Sequence, residues 1–310
     1  MVPFYSARHV EAAVSPERAY EAVRTAFVSH AGGDWTMQPK LYVTNYPAGD
    51  FRAMPALGGG HALLKWVTSF PGNPAHGLPT VSGLVILSNA ETGVVEAVLD
   101  AGSVTALRTG AAAALGAETL GLPGVPAAVI GAGVNGRACA RSLKALGRDV
   151  LLWDVDAERA HSVAADLGIG VAANQDEAIG ADVVVTVTPG KQILLPEGSL
   201  RPGQHVSLMG ADGPGKAEIA VEEIRRTRIF CDEWEQASHG GELAAAVDAG
   251  VITREDVTEL GAVLTGEAGG RRSNDEITIF DSTGLAIQDL AIAIAAYERA
   301  GELDLPLLDL

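Results

Sequence analysis

The run from Val125 through Ile130, Gly131-Ala-Gly133-Val-Asn-Gly136 and on into Arg137-Ala-Cys-Ala constrains this chain more than any other stretch. A short apolar segment meets a glycine turn and then a small-residue helix, which reads as strand, tight turn, helix. The spacing of Gly131, Gly133 and Gly136 suits a dinucleotide. The first glycine allows the turn, the second lets a pyrophosphate approach the backbone, and the third packs helix on strand. The phosphates would sit at the helix N-terminus, where unpaired N–H groups and the helix dipole favour an anion. Glycine turns are common, so the context carries the reading. After the helix, Asp149-Val-Leu-Leu-Trp153-Asp154 is a second buried-strand pattern. It ends in a carboxylate about twenty residues beyond the glycines, the position that bonds a ribose 2′-hydroxyl. Asp154 points to NAD, because a carboxylate repels a 2′-phosphate; Arg159 nearby leaves NADP open.

The remainder of the chain alternates as a doubly wound domain should. A helix is expected around Ala157 to Leu167, followed by strands at Asp182–Thr188, His205–Met209 and Arg228–Cys231. Their carboxyl ends carry Thr188 and Gly210-Ala-Asp212, where ligands of open α/β sheets bind. Upstream, Ser15-Pro16-Glu17 opens a helix that Gly32-Gly33 closes. Short strands at Leu41–Asn45, Ala62–Phe70, Val81–Leu87 and Val94–Leu99 predict a mostly antiparallel sheet, and an alanine-rich helix covers Ser103 to Leu120. Ile277–Asp281 reads as a strand, and Leu285–Tyr297 as a helix apolar almost all round, hence buried. That helix is expected to return to the N-terminal domain and help form a dimer interface. The fold class is therefore α/β. A Rossmann dinucleotide-binding domain at 119–284 is joined to an α+β substrate-binding and dimerisation domain made of 1–118 and 285–310.

With 22 basic against 39 acidic residues the net charge is −17, which argues against nucleic acid and anionic membranes as partners. No uncharged apolar stretch reaches spanning length and none resembles a signal peptide, so the expectation is a cytoplasmic protein. Cys139 and Cys231 lack any metal or redox spacing and are expected to be packed thiols. The histidines show no ligand spacing either, and no metal is expected.

In so acidic a chain, a phosphate-bearing cofactor or a carboxylate substrate needs concentrated cations. Lys40, Arg52, Lys65 and Arg108 are the candidates. Lys65 interrupts an apolar strand and Arg108 an alanine-rich helix, where a charged group needs a partner. An arginine can hold a carboxylate bidentately. A lysine beside other cations has a depressed pKa and can act as acid or base. Lys216 and Glu218 fit a site or a solvated loop with a mutual ion pair equally well.

These pieces together resemble the ornithine cyclodeaminase/mu-crystallin family. The set is Arg52-Ala-Met-Pro, Lys65-Trp-Val, Thr105-Ala-Leu-Arg108-Thr-Gly, Gly131-Ala-Gly133, Gly210-Ala-Asp212-Gly-Pro-Gly-Lys216-Ala-Glu218 and Asp275-Glu-Ile-Thr-Ile-Phe-Asp281-Ser282. The match covers nearly the whole chain in the family's order. It implies a homodimeric enzyme that holds an amino or imino acid against a nicotinamide. By the resemblance, Lys65 and Arg108 hold the substrate carboxylate, Lys40 and Arg52 line the substrate site, and Lys65 is a candidate proton donor and acceptor. Asp212 is the acid/base carboxylate, while Arg108, Val134, Asn135, Asp154, Met209, Gly210, Ala211 and Ser282 line the cofactor. Cyclodeaminases similar to this chain place a glutamate where Arg52 stands. An arginine there repels a second ammonium, and the combination is closer to the archaeal-type alanine dehydrogenase branch. The expected reaction is NAD-dependent oxidative deamination of a small L-amino acid. Cyclodeamination of ornithine, reduction of a cyclic ketimine and a crystallin-like binding role are the alternatives.

Overall fold

The computed structural model describes residues 1–211, 213 and 215–309. The chain forms two compact units, Met1–Arg108 with Leu285–Leu310 (unit 1) and Thr109–Gly284 (unit 2). The division falls inside the helix Ala101–Leu120, where the sequence reading places it near that helix's end.

Unit 1 is built on a sheet of β1 (Val2–Tyr5), β2 (Thr36–Met37), β3 (Leu41–Asn45), β4 (Gly49–Gly58), β5 (His61–Ser69), β6 (Val81–Asn89) and β7 (Val95–Asp100), closed at its far edge by Leu307–Leu308. Consecutive strands from β4 to β7 pair antiparallel, and β1 joins β7 in parallel. The strand β4 was not evident from the sequence, because Asp50 and Arg52 occupy its inward positions and Pro55 interrupts it. Inward and outward positions alternate along β5: Leu63, Lys65 and Val67 are buried, whereas Leu64 and Trp66 are exposed. The pairing sets Met54 opposite Lys65 and Arg52 opposite Val67, so both cations share the inner face.

The helix Pro16–Ala31 begins as expected, with Ser15 Oγ accepting from Arg18 N at 3.2 Å and Pro16 in the first turn. It packs with the helix Ala286–Tyr297, which also lies on β4, β5 and β6. Ile287, Leu290 and Ile292 of that helix are fully buried. Each contributes roughly 1.5–3 kcal/mol of burial, enough to carry Gln288 and Asp289 into the interior with them. Its apolar surface is thus covered within the chain itself. Leu41, Val43, Leu64, Trp66 and Leu84 leave large apolar side chains exposed on the sheet's outer face.

Unit 2 is a parallel sheet of β8 (Ala127–Ile130), β9 (Val150–Trp153), β10 (Gly170–Val171), β11 (Val183–Thr186), β12 (His205–Leu208), β13 (Arg228–Cys231), β14 (Val257–Glu259) and β15 (Thr278–Asp281). The spatial order is β10-β9-β8-β11-β12-β15-β13-β14, with every pairing parallel. Strands such as Ala127–Ile130 and Val183–Thr186 are buried along their whole length, as expected of a sheet covered on both faces. The order reverses between β8 and β11, which makes a crevice at their carboxyl ends the natural ligand seat. Cys139 and Cys231 are free and buried. Among the described residues, no group of His, Cys, Asp or Glu is placed to hold a metal ion, and no helix is long and apolar enough to cross a membrane.

Candidate active site

In unit 1 the alternation of β5 turns Lys65 into the interior, where it is 1% exposed. Its Nζ donates to Asp289 Oδ1 at 2.9 Å and to Thr105 Oγ1 at 2.6 Å. Thr105 in turn donates to the carbonyl of Ala101, so its lone pairs face the lysine. Arg108, one helical turn beyond Thr105, brings its Nε to 3.6 Å from the same Asp289 oxygen. Two cations therefore share one carboxylate. Burial, together with Arg108 and Arg52, lowers the Lys65 pKa to about 8 from 10.5, although Asp289 pulls it upward. Arg108 Nε and Asp289 Oδ2 are buried and make no hydrogen bond within the chain. Buried polar atoms normally find partners, so these two have hydrogen-bonding capacity to spare.

Arg52 lies on the same inner face and is clamped by Asp50, with Nε to Oδ1 at 2.6 Å and Nη2 to Oδ2 at 3.3 Å. Its guanidinium also stands over the Tyr42 ring, 5.3 Å from the centroid. Both Asp50 oxygens are engaged by Arg52. Lys40 is half-buried at the start of this sheet region.

In unit 2 the glycine turn has the shape its spacing predicts. Gly131 adopts φ +112°, and a Cβ there would come within 2.8 Å of the Val187 carbonyl. A Cβ on Gly136 would fall 1.7 Å from the Gly131 carbonyl, so only glycine lets the helix Val134–Ala145 pack onto the turn. Gly133, the N-cap, faces open space, and no side chain caps the helix. These first N–H groups are left available to an anion. Val134 is exposed and Asn135 half-buried at this entrance. Asp154 Oδ2 accepts from Ala132 N at 2.6 Å and Oδ1 from Asp156 N at 2.8 Å, which ties the carboxylate to the glycine turn. Arg159 is held by Asp156 at 2.9 Å and stands 3.8 Å from Asp154. A guanidinium so engaged is a poor receptor for a 2′-phosphate. The residues present fit a dinucleotide without one.

The sequence profile of the ornithine cyclodeaminase/mu-crystallin family matches residues 3–303. The chain belongs to this family. It is 44% identical over 301 residues to an alanine dehydrogenase of Archaeoglobus fulgidus, covering 94% of this chain and 92% of that protein. It is 34% identical to an iminosuccinate reductase of Paracoccus denitrificans, covering 94% and 95% of the two chains. Among solved structures, an archaeal alanine dehydrogenase dimer with bound NAD superimposes with a TM-score of 0.92 at 42% identity, covering 97% of this chain and 96% of that one.

The family residues expected from the sequence fall into two groups. Lys65 and Arg108 converge on one buried carboxylate, and Gly131, Gly133, Val134, Asn135, Gly136 and Asp154 form one turn. Thr188, Met209, Gly210 and Ala211 follow the ends of β11 and β12, and Asp212 lies outside the described residues. The Ser282 hydroxyl donates to the buried Asp232 at 3.2 Å. Glu218 is not on a solvated loop but fully buried, accepting from Thr186 Oγ1, Thr188 N and Thr188 Oγ1 at 2.7, 2.8 and 2.5 Å. Sequence reasoning missed Asp289 altogether. Its signal was present, as the one acid in an otherwise apolar stretch from Leu290 to Tyr297 and its preceding turn.

Proposed function

We propose that this chain is an NAD-dependent oxidoreductase that reversibly deaminates a small L-amino acid, with unit 1 binding the amino acid and unit 2 the dinucleotide. The reading is carried by the buried Lys65–Arg108 pair, two cations against the single carboxylate of Asp289. The cluster retains one positive charge, which matches the carboxylate of an amino acid. Arg108 Nε, which makes no hydrogen bond within the chain, supplies a ready donor to it.

The glycine turn, Val134, Asn135 and Asp154 would hold the cofactor with Thr188, Met209, Gly210, Ala211 and Ser282. When bound, nicotinamide accepts a hydride from the substrate α-carbon. The protein's own contribution is to orient the substrate and handle protons. Lys65 Nζ, with its pKa near 8, can lose a proton in the neutral to mildly alkaline range and return it. Asp212 would assist addition of water to the iminium carbon, from which ammonia leaves and a 2-oxo acid remains.

Arg52 favours this reading over ornithine cyclodeamination. Its charge faces the same side of the sheet as Lys65, and the adjacent Asp50 carboxylate is already occupied by it. No acid from this pair is left to receive a side-chain ammonium. We assign the exposed outer face of the unit 1 sheet to the homodimer, since a contiguous apolar surface of this kind calls for cover. The cytoplasm is the proposed compartment, in keeping with the two reduced thiols.

The decisive experiment supplies NAD with L-alanine, other small L-amino acids and L-ornithine at mildly alkaline pH and follows NADH and carbon products. NADH with a 2-oxo acid from a small amino acid is the expected outcome. Proline from ornithine without net NADH would overturn the assignment.

A further inference from the structure

Unit 2 contains a second buried ionisable cluster. Glu218, Glu242 and Asp281 are each 0–1% exposed, and they accept from backbone N–H and threonine O–H groups. Glu218 receives donors from two neighbouring strand ends. Thr186 closes β11 and Thr188 lies two residues past it, and both hydroxyls and the Thr188 N–H point at the carboxylate. The N–H of Gly210, just past β12, donates to it as well. A Cβ on Gly210 would lie 2.4 Å from Glu218 Oε2, so the missing side chain at this position makes room for a carboxylate of the protein itself. Behind it, Glu218 is held by its own backbone. Its N–H donates to Glu242 Oε2 at 2.8 Å, and its carbonyl accepts from Leu194 N and Leu195 N at 2.7 and 2.9 Å. Asp281, immediately before Ser282, accepts from Leu243 N at 3.1 Å, next to Glu242.

We propose that Glu218 is a positioning residue for the cofactor site, its carboxylate fixing the spacing between the loop after β11 and the loop after β12. The inference rests on the proposed cofactor contacts of Thr188 and of Met209 to Ala211. Thr188 is both a partner of Glu218 and the first of those contacts. Gly210 lies in the middle of the second group, two residues before Asp212 in sequence. Four donors are directed at the two carboxylate oxygens, a match that draws the pKa of Glu218 down although burial raises it overall. Replacing it by an amide leaves the outline unchanged and removes the match. The threonine hydroxyls can rotate to accept, but the N–H groups of Thr188 and Gly210 cannot. One of them would then face an NH₂ group, and the loops would move apart.

The test measures NADH affinity by fluorescence for wild type, Glu218→Gln and Thr186→Val. It adds KM for NAD, KM for the amino acid, kcat and the melting temperature. Losing a charge-assisted hydrogen bond is expected to weaken NADH binding by about 10- to 100-fold in Glu218→Gln, with KM for NAD rising in parallel and KM for the amino acid unchanged. Thr186→Val removes one donor only and is expected to act in the same direction by about 2- to 10-fold. A folded Glu218→Gln protein with a lowered melting temperature but NADH affinity within twofold of wild type would overturn the proposal. Where Glu218→Gln does not fold, Thr186→Val decides by the same criterion. A wild-type protein that binds NADH but oxidises none of the amino acids would refute the proposed reaction and leave this test intact.

Discussion

The Lys65–Arg108 cluster of unit 1 and the Glu218–Glu242–Asp281 cluster of unit 2 are accommodated by different means. Lys65 and Arg108 are offset by a full opposite charge, Asp289. Glu218 is offset by dipoles, the N–H and O–H groups of Thr186, Thr188 and Gly210. All three acids are pushed upward by burial, Glu242 to about 8 and Asp281 well above its ordinary value with the neighbouring acids adding to the rise, whereas in Glu218 the donors oppose it. Cations paired with a carboxylate can also be shared with an incoming anion, so the first arrangement suits a substrate that arrives and departs. Fixed dipoles suit a scaffold that does not change. The contrast lies in the residues that surround each cluster, not in how deeply it is buried.

The largest effect is expected from Lys65→Met, which removes both a carboxylate contact and the proton-handling group. Turnover should fall by about 10²- to 10⁴-fold, measured as NADH formation with NAD saturating. If the lysine were only a structural ion-pair partner, the double variant Lys65→Met, Asp289→Leu would recover both stability and turnover. A well-packed apolar pair in place of a buried salt bridge is often neutral for stability, so recovery of the melting temperature alone is expected.

Next in size is Asp289→Asn, which withdraws the charge that holds the Lys65 pKa up. The lysine limb of the pH profile of kcat/KM, expected near 8 in wild type, should move to lower pH. A limb that stays in place would assign it to another group. The variant should also lose about 3–5 kcal/mol of stability at pH 7, as expected when one partner of a buried pair is removed.

The smallest effect concerns stability against pH. Between 4.5 and about 8, folded Glu242 retains a proton that the unfolded chain has released, so its contribution to stability declines as pH rises through that window. Lys65 has the opposite sign. Between about 8 and 10.5 the unfolded chain holds the extra proton, and stability from this group increases with pH. Thermal melts of Glu242→Gln should show a shallower decline from pH 6 to 8 than wild type, with no change in slope above pH 8. An unchanged slope below 8 would show that Glu242 ionises normally in the folded protein.

Much of the fold was legible because periodicity and turn chemistry are local. The glycines at 131, 133 and 136 read directly from their spacing, although only Gly136 meets a near neighbour, the Gly131 carbonyl, whereas Gly131 is constrained by the distant Val187 carbonyl. Lys65 and Arg108 were also legible, as charges out of keeping with an apolar strand and an alanine-rich helix. Their partner was not. Asp289 is 224 residues from Lys65, and no local pattern indicates which acid will meet which cation. The strand β4 escaped for a related reason. Its inward positions carry Asp50 and Arg52, and the alternation appears only once their mutual ion pair is known. Glu218 stayed open between a site and a solvated loop because glycines and a lysine precede it, while the hydroxyls that meet it come from Thr186 and Thr188, about thirty residues earlier.

The same separation bears on how the protein is made. Lys65 leaves the ribosome 224 residues before Asp289, which at ordinary elongation rates is an interval of about ten to forty-five seconds. During that interval the inner face of the unit 1 sheet lacks both its counter-charge and the helix that covers it. Unit 2, by contrast, is contiguous from Thr109 to Gly284 and contains every strand of its own sheet. It can close while the chain is still growing. Unit 1 therefore completes its inner face, and takes its lysine out of water, only when the last helix emerges.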